Sequence, residues 1–383
     1  MEYINRKTHP NRIERQKMKI IVTGTRGIPG IQGGVETHCE ELFPRIADEK
    51  HEVIVIRRPE YKSVEYGVSK YKGVTIKDIK TLPGKHFEAI THTFIAVLYA
   101  RKIHADIVHI HAIGPSLMIP IVRILGMKAV MTHHGPDYDR QKWGKLSKSV
   151  LKIGEKLGVK YANHVIVISQ HIRNIVQRKC PTQKKISLIY NGVNLTCSQT
   201  DNNYLKELGV EKYSYILAVG RFVKEKGFDL LLEAYKKLYN KNIKLIIAGD
   251  ADHEDHYSVS LKRLAEEHHV VLTGFVRGAK LNELFSHARL FVLPSFHEGL
   301  PIVLLEALSY RLPVLVSDIP ANRLACLDAS DFFATGNIGS LEERLSCKLE
   351  GEMEERHYDL SPYNWDYIAS QVDSVYRLGK KPR

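Results

Sequence analysis

The stretch Leu290-Phe-Val-Leu-Pro294-Ser-Phe-His297-Glu298-Gly299-Leu-Pro301-Ile-Val-Leu-Leu-Glu306-Ala307 decides how the rest of the chain is read. Four apolar residues bounded by Pro294 have the composition of a strand buried on both faces of a parallel sheet. A polar loop follows, and Pro301 suits the first position of a helix. Glu298 then lies in the strand-to-helix loop and Glu306 about a turn and a half into the helix. The free N–H groups of the helix start form an anion site between the two carboxylates. Acids that take hydroxyls beside a helix end that takes phosphate suit a ligand such as a sugar nucleotide. The plainer alternative is a strand–helix unit with one surface glutamate and one on a helix side.

Working outward, similar apolar runs alternate with helical stretches almost throughout, which predicts an α/β protein with parallel sheets. Strands are expected at Lys19–Thr23, Glu52–Ile56, Ile107–Ile110, Lys128–Thr132, His164–Ile168 and Ile186–Ile189. After a turn at Asn191-Gly192 and a polar linker at Thr196–Asn203 the pattern restarts. Further strands are expected at Tyr215–Val219, Lys244–Ala248, Val270–Leu272, Leu290–Leu293 and Pro313–Val316. With 383 residues the chain has room for two such domains.

Charge divides the chain in the same place. Residues 1–190 carry 33 Lys and Arg against 16 Asp and Glu, whereas residues 191–383 carry 23 against 27. Only the first half is therefore built to face an anionic partner, whether nucleic acid, lipid or phosphate-bearing substrate. The five cysteines, Cys39, Cys180, Cys197, Cys326 and Cys347, are scattered and include no C-x-x-C pair. They argue against a disulfide framework or structural zinc, so a reducing, cytoplasmic setting is expected. Residues 1–17 are a polar extension without the apolar core of a signal peptide. No run has the roughly 18 apolar residues of a membrane span.

Three further stretches carry chemistry. Gly24-Thr-Arg-Gly27-Ile-Pro-Gly30-Ile-Gln-Gly33-Gly34 follows the first strand, letting backbone approach a ligand and opening a helix towards phosphate. Its G-x-x-G-x-x-G spacing, with Arg57-Arg58 where a dinucleotide fold wants an acid after the second strand, disfavours NAD. The alternative here is a mobile loop. In Gly220-Arg221-Phe-Val-Lys-Glu-Lys226-Gly227, an arginine and a lysine five apart after a strand make a diphosphate clamp. His109, His111, His133 and His134 end two strands on the side where parallel sheets bind ligands. His134 is the candidate polar or acid–base group among them. The pairs Asp137/Asp139 and Asp250/Asp252 have the spacing of divalent-cation ligands but no supporting carboxylates. No metal is expected.

Residues 140–160 form an amphipathic helix on the wheel, with Trp143, Leu146, Val150, Ile153 and Leu157 on one stripe. Lys145, Lys148, Lys152 and Lys156 stand opposite. The pattern suits a helix lying on an anionic bilayer, and equally one packing its stripe onto its own sheet.

Taken together and in this order, these stretches resemble retaining glycosyltransferases of the GT-B fold, family 4. The resemblance runs from Lys19 to about Tyr376 and rests on Gly33-Gly34, Asn191-Gly192-Val193, Gly220-Arg221-Phe222, Lys226-Gly227 and Glu298-Gly299-Leu300-Pro301 with Glu306. The opening Gly-Thr-Arg-Gly-Ile-Pro also resembles bacterial enzymes of capsular and surface polysaccharides, some of them rhamnosyltransferases. It implies an N-terminal Rossmann-like acceptor domain over residues 18–195, a donor-nucleotide domain over 196–362, and a helix over 363–378 crossing back. It further implies that Arg221 and Lys226 hold the donor diphosphate while Gly33 and Gly34 approach from the other domain. Glu306 would bind ribose hydroxyls, Glu298 the transferred sugar, and the N–H groups of Leu300, Ile302 and Val303 phosphate or sugar oxygens. Val276 would neighbour the nucleobase, His134 the reacting sugar, and no metal would be needed.

The expected function is thus transfer of a sugar, with retention, from a nucleotide-diphosphate donor to a saccharide acceptor. The acceptor is expected to be lipid-linked and reached at the inner membrane face by the basic half. Two rivals stand beside it. A sugar-nucleotide epimerase of the same architecture would convert donor with no acceptor present. A non-catalytic nucleic-acid binder would use the basic half, although no stacking platform or duplex-reading motif accompanies the charges.

Overall fold

The computed structural model describes residues 17–61, 69–81, 88–139, 144–195, 200–238, 242–350 and 356–378. The expected extension, Trp143 and residues 196–199 of the linker lie outside these, Lys17 excepted. Among the described residues the chain forms two sheets. The first contains β1 (Met18–Thr23), β2 (His51–Arg57), β3 (Lys70–Tyr71), β4 (Val74–Asp78), β5 (Ile107–His111), β6 (Lys128–His133), β7 (His164–Val167) and β8 (Ile186–Leu188). Their order is β3-β4-β2-β1-β5-β6-β7-β8, parallel except for β3. The second contains β9 (Tyr215–Val219), β10 (Lys244–Ala248), β11 (Val271–Leu272), β12 (Leu290–Leu293), β13 (Val314–Ser317) and β14 (Phe332–Phe333). It is wholly parallel in the order β11-β10-β9-β12-β13-β14.

Connecting helices are α1 (Gly34–Ile46), α2 (Glu88–Lys102), α3 (Ile119–Ile124), α4 (Lys145–Tyr161) and α5 (Gln170–Lys179) around the first sheet. Around the second are α6 (Asn203–Glu207), α7 (Phe228–Lys236), α8 (His256–Glu267), α9 (Ala279–Ser286), α10 (Ile302–Ser309) and α11 (Ile338–Glu350). These are two Rossmann-like domains. In each, strand order reverses beside the first strand, between β1 and β5 and between β9 and β12. Ligands of such sheets sit beyond the strand ends at that reversal.

The inner strands follow from their composition. Ile216, Leu217 and Ala218 of β9 and all four residues of β12 are buried, as continuous apolar runs require. Pro301 precedes α10 as its cap, one residue before the expected position. The edges were less legible: β3, β4 and β14 carry no long apolar run. In β4 only Val74 and Ile76 are buried. Arg57 and Arg58 are both paired with acids of the first domain. Arg57, 1% exposed, donates Nε to Asp78 Oδ1 at 2.7 Å, and Arg58 pairs with Glu88 at 3.1 Å.

Helix α12 (Trp365–Arg377) ends the described chain and packs on α1 of the first domain. Asn364 caps it, its Oδ1 accepting from the N–H groups of Asp366 and Tyr367. Trp365, Ile368, Val372 and Tyr376 share a core with Leu42, Phe43 and Ile20. The Tyr376 hydroxyl lies 2.6 Å from His109 Nδ1.

Helix α4 corrects the sequence reading. It packs through Gly154, Glu155, Gly158 and Val159, not through the predicted stripe. A Cβ on Gly154 would stand 2.4 Å from the Ile113 carbonyl oxygen, and one on Gly158 2.6 Å from Ser116 Cβ. The two glycines form a seam that lets the helix approach closely, and Glu155 lies with them because His133 binds it at 2.9 Å. Leu146 and Ile153 are left 73% and 51% exposed. A hydrophobic wheel misses such a seam because glycine counts as a blank.

Candidate functional site

The loop after β1 is hydrogen-bonded to its own helix. Glu36, in the first turn of α1, accepts from Thr25 Oγ1 at 3.0 Å and from the Arg26 N–H at 3.1 Å. Gly33 has φ +148°, and a Cβ there would meet Glu36 Oε2 at 2.1 Å, so the position needs glycine. Gly34 is exposed, and a Cβ on it would meet nothing within 4 Å, which leaves room in front of the helix start.

Across from it, after β9, Gly220 leads into Arg221 and Lys226. Lys226 Nζ donates to Glu298 Oε1 at 2.6 Å, and Ser295 Oγ donates to the same oxygen at 2.7 Å. The Phe296 N–H donates to the Glu225 carbonyl at 2.8 Å, which ties the clamp loop to the Glu298 loop. The predicted clamp and the predicted sugar-side glutamate therefore meet directly. Val276 stands apart, beyond β11 and two strands from β9, its side chain packed partly into the core.

Glu298 and Glu306 flank the start of α10, where the N–H groups of Ile302 and Val303 have no preceding turn to bond. Leu300 is buried, and its carbonyl accepts from Asn191 Nδ2 at 2.7 Å. That bond fixes Asn191: its Oδ1 must face His38, so His38 Nδ1, at 2.9 Å, carries the proton. Asn191 is thus a strut between the domains, where sequence showed only a turn. Burial pushes the Glu306 carboxyl up to about 7, with the Glu41 carboxylate adding to the effect.

His134 comes to the same place from the first domain. A Cβ on Gly299 would stand 2.0 Å from the His134 carbonyl oxygen, so the two backbones touch across the cleft. Its Nε2 lies 2.9 Å from His111 Nδ1. Burial, reinforced by neighbouring histidines, pushes His111 and His134 well below the usual imidazole range. Burial also lowers His38 to about 4 and His109 to about 3. These four imidazoles are held neutral at pH 7. His38, His111 and His134 offer nitrogens within 4.8 Å of one another, the one group of metal-ligand spacing among the described residues. The His111–His134 hydrogen bond already uses a nitrogen of each.

The pair Asp250 and Asp252, at which no metal is expected, is engaged by basic side chains. Asp250 pairs with Lys262 at 3.1 Å, while Asp252 binds Arg221 Nη1 at 2.7 Å and a residue absent from the sequence reading, Arg26. Arg26 Nη1 and Nη2 reach Asp252 Oδ1 and Oδ2 at 2.9 and 2.7 Å from the opposite domain. Nothing local in the sequence signals a pair 226 residues apart.

Two reversal points face each other in this two-domain α/β protein, one lined with Arg221, Lys226 and Glu298 and the other with glycines, imidazoles and Arg26. Residues 32–196 match the model of Glycosyltransferase Family 4, and residues 201–365 that of Glycosyl transferases group 1. The chain belongs to the glycosyltransferases of this group 1, family 4 type. It is 29% identical over 328 residues to an uncharacterized glycosyltransferase of Methanocaldococcus jannaschii, covering 79% of this chain and 81% of that one. It is 28% identical to TuaC of Bacillus subtilis, assigned as a glycosyltransferase to teichuronic acid biosynthesis, over 68% of this chain and 66% of that one. The crystal structure of HepE from Anabaena in complex with UDP-glucose superposes with a TM-score of 0.72 at 17% identity, covering 94% and 97% of the two chains. The fold is GT-B.

Proposed function

We propose that the protein transfers a sugar, with retention, from a nucleotide-diphosphate donor to a saccharide acceptor in surface polysaccharide synthesis. The observation that carries this is the convergence of Arg221, Lys226, Glu298 and the α10 start opposite the open Gly34 position and His134. The HepE complex with UDP-glucose and the relationship to TuaC support the donor and the pathway class. Arg221 and Lys226 take the charge that builds on the departing diphosphate, replacing a divalent cation in that role. Glu298 holds sugar hydroxyls, Glu306 those of the ribose, and the segment at Val276 borders the base. His134 lies against the Glu298–Gly299 loop, beside the transferred sugar. The acceptor hydroxyl attacks from the leaving-group face, forming the new C–O bond as the old one breaks. Its proton passes to a phosphate oxygen.

The acceptor is lipid-linked in this reading, and α4 brings the enzyme to it. Leu146 and Ile153 are exposed and Val150 and Leu157 half-buried, on a helix that also exposes Lys145, Lys152 and Lys156. Exposed apolar side chains among lysines suit an anionic bilayer surface. Among the described residues no helix is long and apolar enough to cross a membrane. Sedimentation with phosphatidylglycerol vesicles should exceed that with phosphatidylcholine and fall in Ile153→Asp; equal binding sinks the membrane role.

Purified protein incubated with a nucleotide-sugar panel and bacterial lipid extract should release nucleotide only when acceptor is present. The new linkage should keep the donor's anomeric configuration by NMR. Donor conversion without acceptor would make the protein an epimerase instead.

A further inference from the structure

The clamp loop and the glycine loop do more than face each other. Asp252 lies beyond β10 in the second domain and is gripped at once by Arg221 from its own domain and Arg26 from the other. Its Oδ2 alone accepts from both guanidinium groups at 2.7 Å. Arg26 is also fixed from behind: its Nη1 donates to the Gln32 carbonyl at 3.2 Å, and its guanidinium lies 5.0 Å from the Tyr61 ring centre. Burial opposes ionisation of Asp252, but the hydrogen bond from Arg26 and the charges of both arginines hold its carboxyl below the usual range.

Two arginines converging on oxygens of one anion reproduce how proteins hold phosphate, since the planar fork matches carboxylate and phosphate alike. Arg221 is the residue already assigned to the donor diphosphate. The group that now fills its Nη1 is a carboxylate of the protein, and Arg26 shares it. Arg26, Arg221 and Lys226 against Asp252 and Glu298 leave one net positive charge. A diphosphate that replaced the Asp252 carboxylate would meet three cations on one side of its exchange.

We propose that Arg26 is a third cation of the diphosphate clamp, supplied from the opposite domain, and that Asp252 holds the two arginines together until the diphosphate displaces its carboxylate. The inference rests on the clamp reading of Arg221 and Lys226 and goes beyond it by making donor binding depend on both domains. Arg26 is anchored in the first domain through its backbone, the Gln32 carbonyl and the Tyr61 ring. Opening the cleft would therefore strip one cation from the bound diphosphate, coupling its release to domain movement.

The probe is inorganic pyrophosphate, titrated calorimetrically into the full-length protein at fixed ionic strength. Arg26→Gln should weaken binding about tenfold or more, and Arg26→Lys should fall between, keeping the charge but losing the fork. Asp252→Asn removes the competing charge and should tighten binding severalfold. If Arg221→Gln loses binding while Arg26→Gln retains wild-type affinity with an unchanged melting profile, Arg26 is only an interdomain tie and the proposal falls. If neither variant moves, the clamp reading itself is wrong. Weakened binding in Asp252→Asn would overturn displacement, because Asp252 would then be positioning the arginines for the ligand. Should Arg26→Gln fail to fold, Arg26→Lys and Asp252→Asn still decide the question.

Discussion

The loops after β1 and β9 occupy equivalent places, each leaving the central strand beside its domain's reversal of strand order, yet they are chemically unlike. The β1 loop spends its glycines on close packing and satisfies its backbone with a buried acid, Glu36. Around it the strand ends carry neutral imidazoles. The β9 loop presents Arg221 and Lys226, and the loops after the neighbouring strands β10 and β12 carry Asp252 and Glu298, with Glu306 in the helix that follows. One fold used twice has divided the work at the cleft: the β9 loop and its neighbours carry paired charges, while the β1 loop contributes shape, neutral hydrogen bonding and Arg26. The division teaches that architectural repetition sets where a site lies, and loop chemistry sets what it does.

The division is broken most directly at the clamp. Arg221→Ala and Lys226→Ala should each lower kcat by about 10²–10³-fold, the usual cost of removing one preorganised donor to developing charge. Circular dichroism checks that each variant keeps its fold, since removing either cation leaves Asp252 or Glu298 mostly buried with one partner fewer. Steady-state kinetics with the donor found in the panel decides it, and unchanged turnover in either variant removes that residue from the role.

Gly299 tests whether the two sides must touch. Gly299→Ala puts a methyl group 2.0 Å from the His134 carbonyl oxygen, so the domains have to separate or the loop has to shift. A displacement on the order of 1 Å costs about 100-fold in rate. The variant should keep its fold and lose turnover; activity within a few-fold of wild type would mean that the contact is not kept during catalysis.

Much of this was legible in the chain. The central strands declare themselves because both faces are buried, and Lys226 and Glu298, singled out in two separate loops, meet in the fold. What escaped depends on long-range pairing or on absent side chains. Asp252 showed only the spacing of an Asp-x-Asp pair, because its partners, Arg26 and Arg221, are remote in sequence. The Gly154–Gly158 seam of α4 was invisible to a pattern built on apolar residues, so its exposed stripe was read as equally able to pack. Asn191 read as a turn because its strut needs His38 and Leu300.

Acid should separate the halves. His109, buried between Tyr376 and Thr132, is held neutral down to about 3. The unfolded chain takes up a proton near 6.5, so the folded state binds fewer protons between that pH and about 3. Stability is therefore full above 6.5 and is lost as pH falls, by up to about 1.4 kcal/mol per unit from this residue. His109→Gln can keep hydrogen bonds to both partners without the titration. Urea unfolding from pH 7 to 5 should show a shallower slope in the variant, and identical slopes would remove His109 from the acid response.

On the charged side, pH should act on binding instead. Burial, with Glu41 nearby, raises Glu306 to about 7, so roughly half its carboxyls are protonated at neutral pH. A ribose held through two hydroxyls needs an acceptor at both oxygens, which only the carboxylate supplies. Between pH 6 and 8 the ionised fraction rises about tenfold, and donor KM should fall by about that factor. Glu306→Gln presents one acceptor at every pH, so its KM should be raised and flat across the same range. A wild-type KM that does not change between pH 6 and 8 would take Glu306 out of donor recognition while leaving the clamp untouched. The second domain would then bind its ligand through the diphosphate and the Glu298 loop, and its division of labour with the first domain would rest on Arg221 and Lys226.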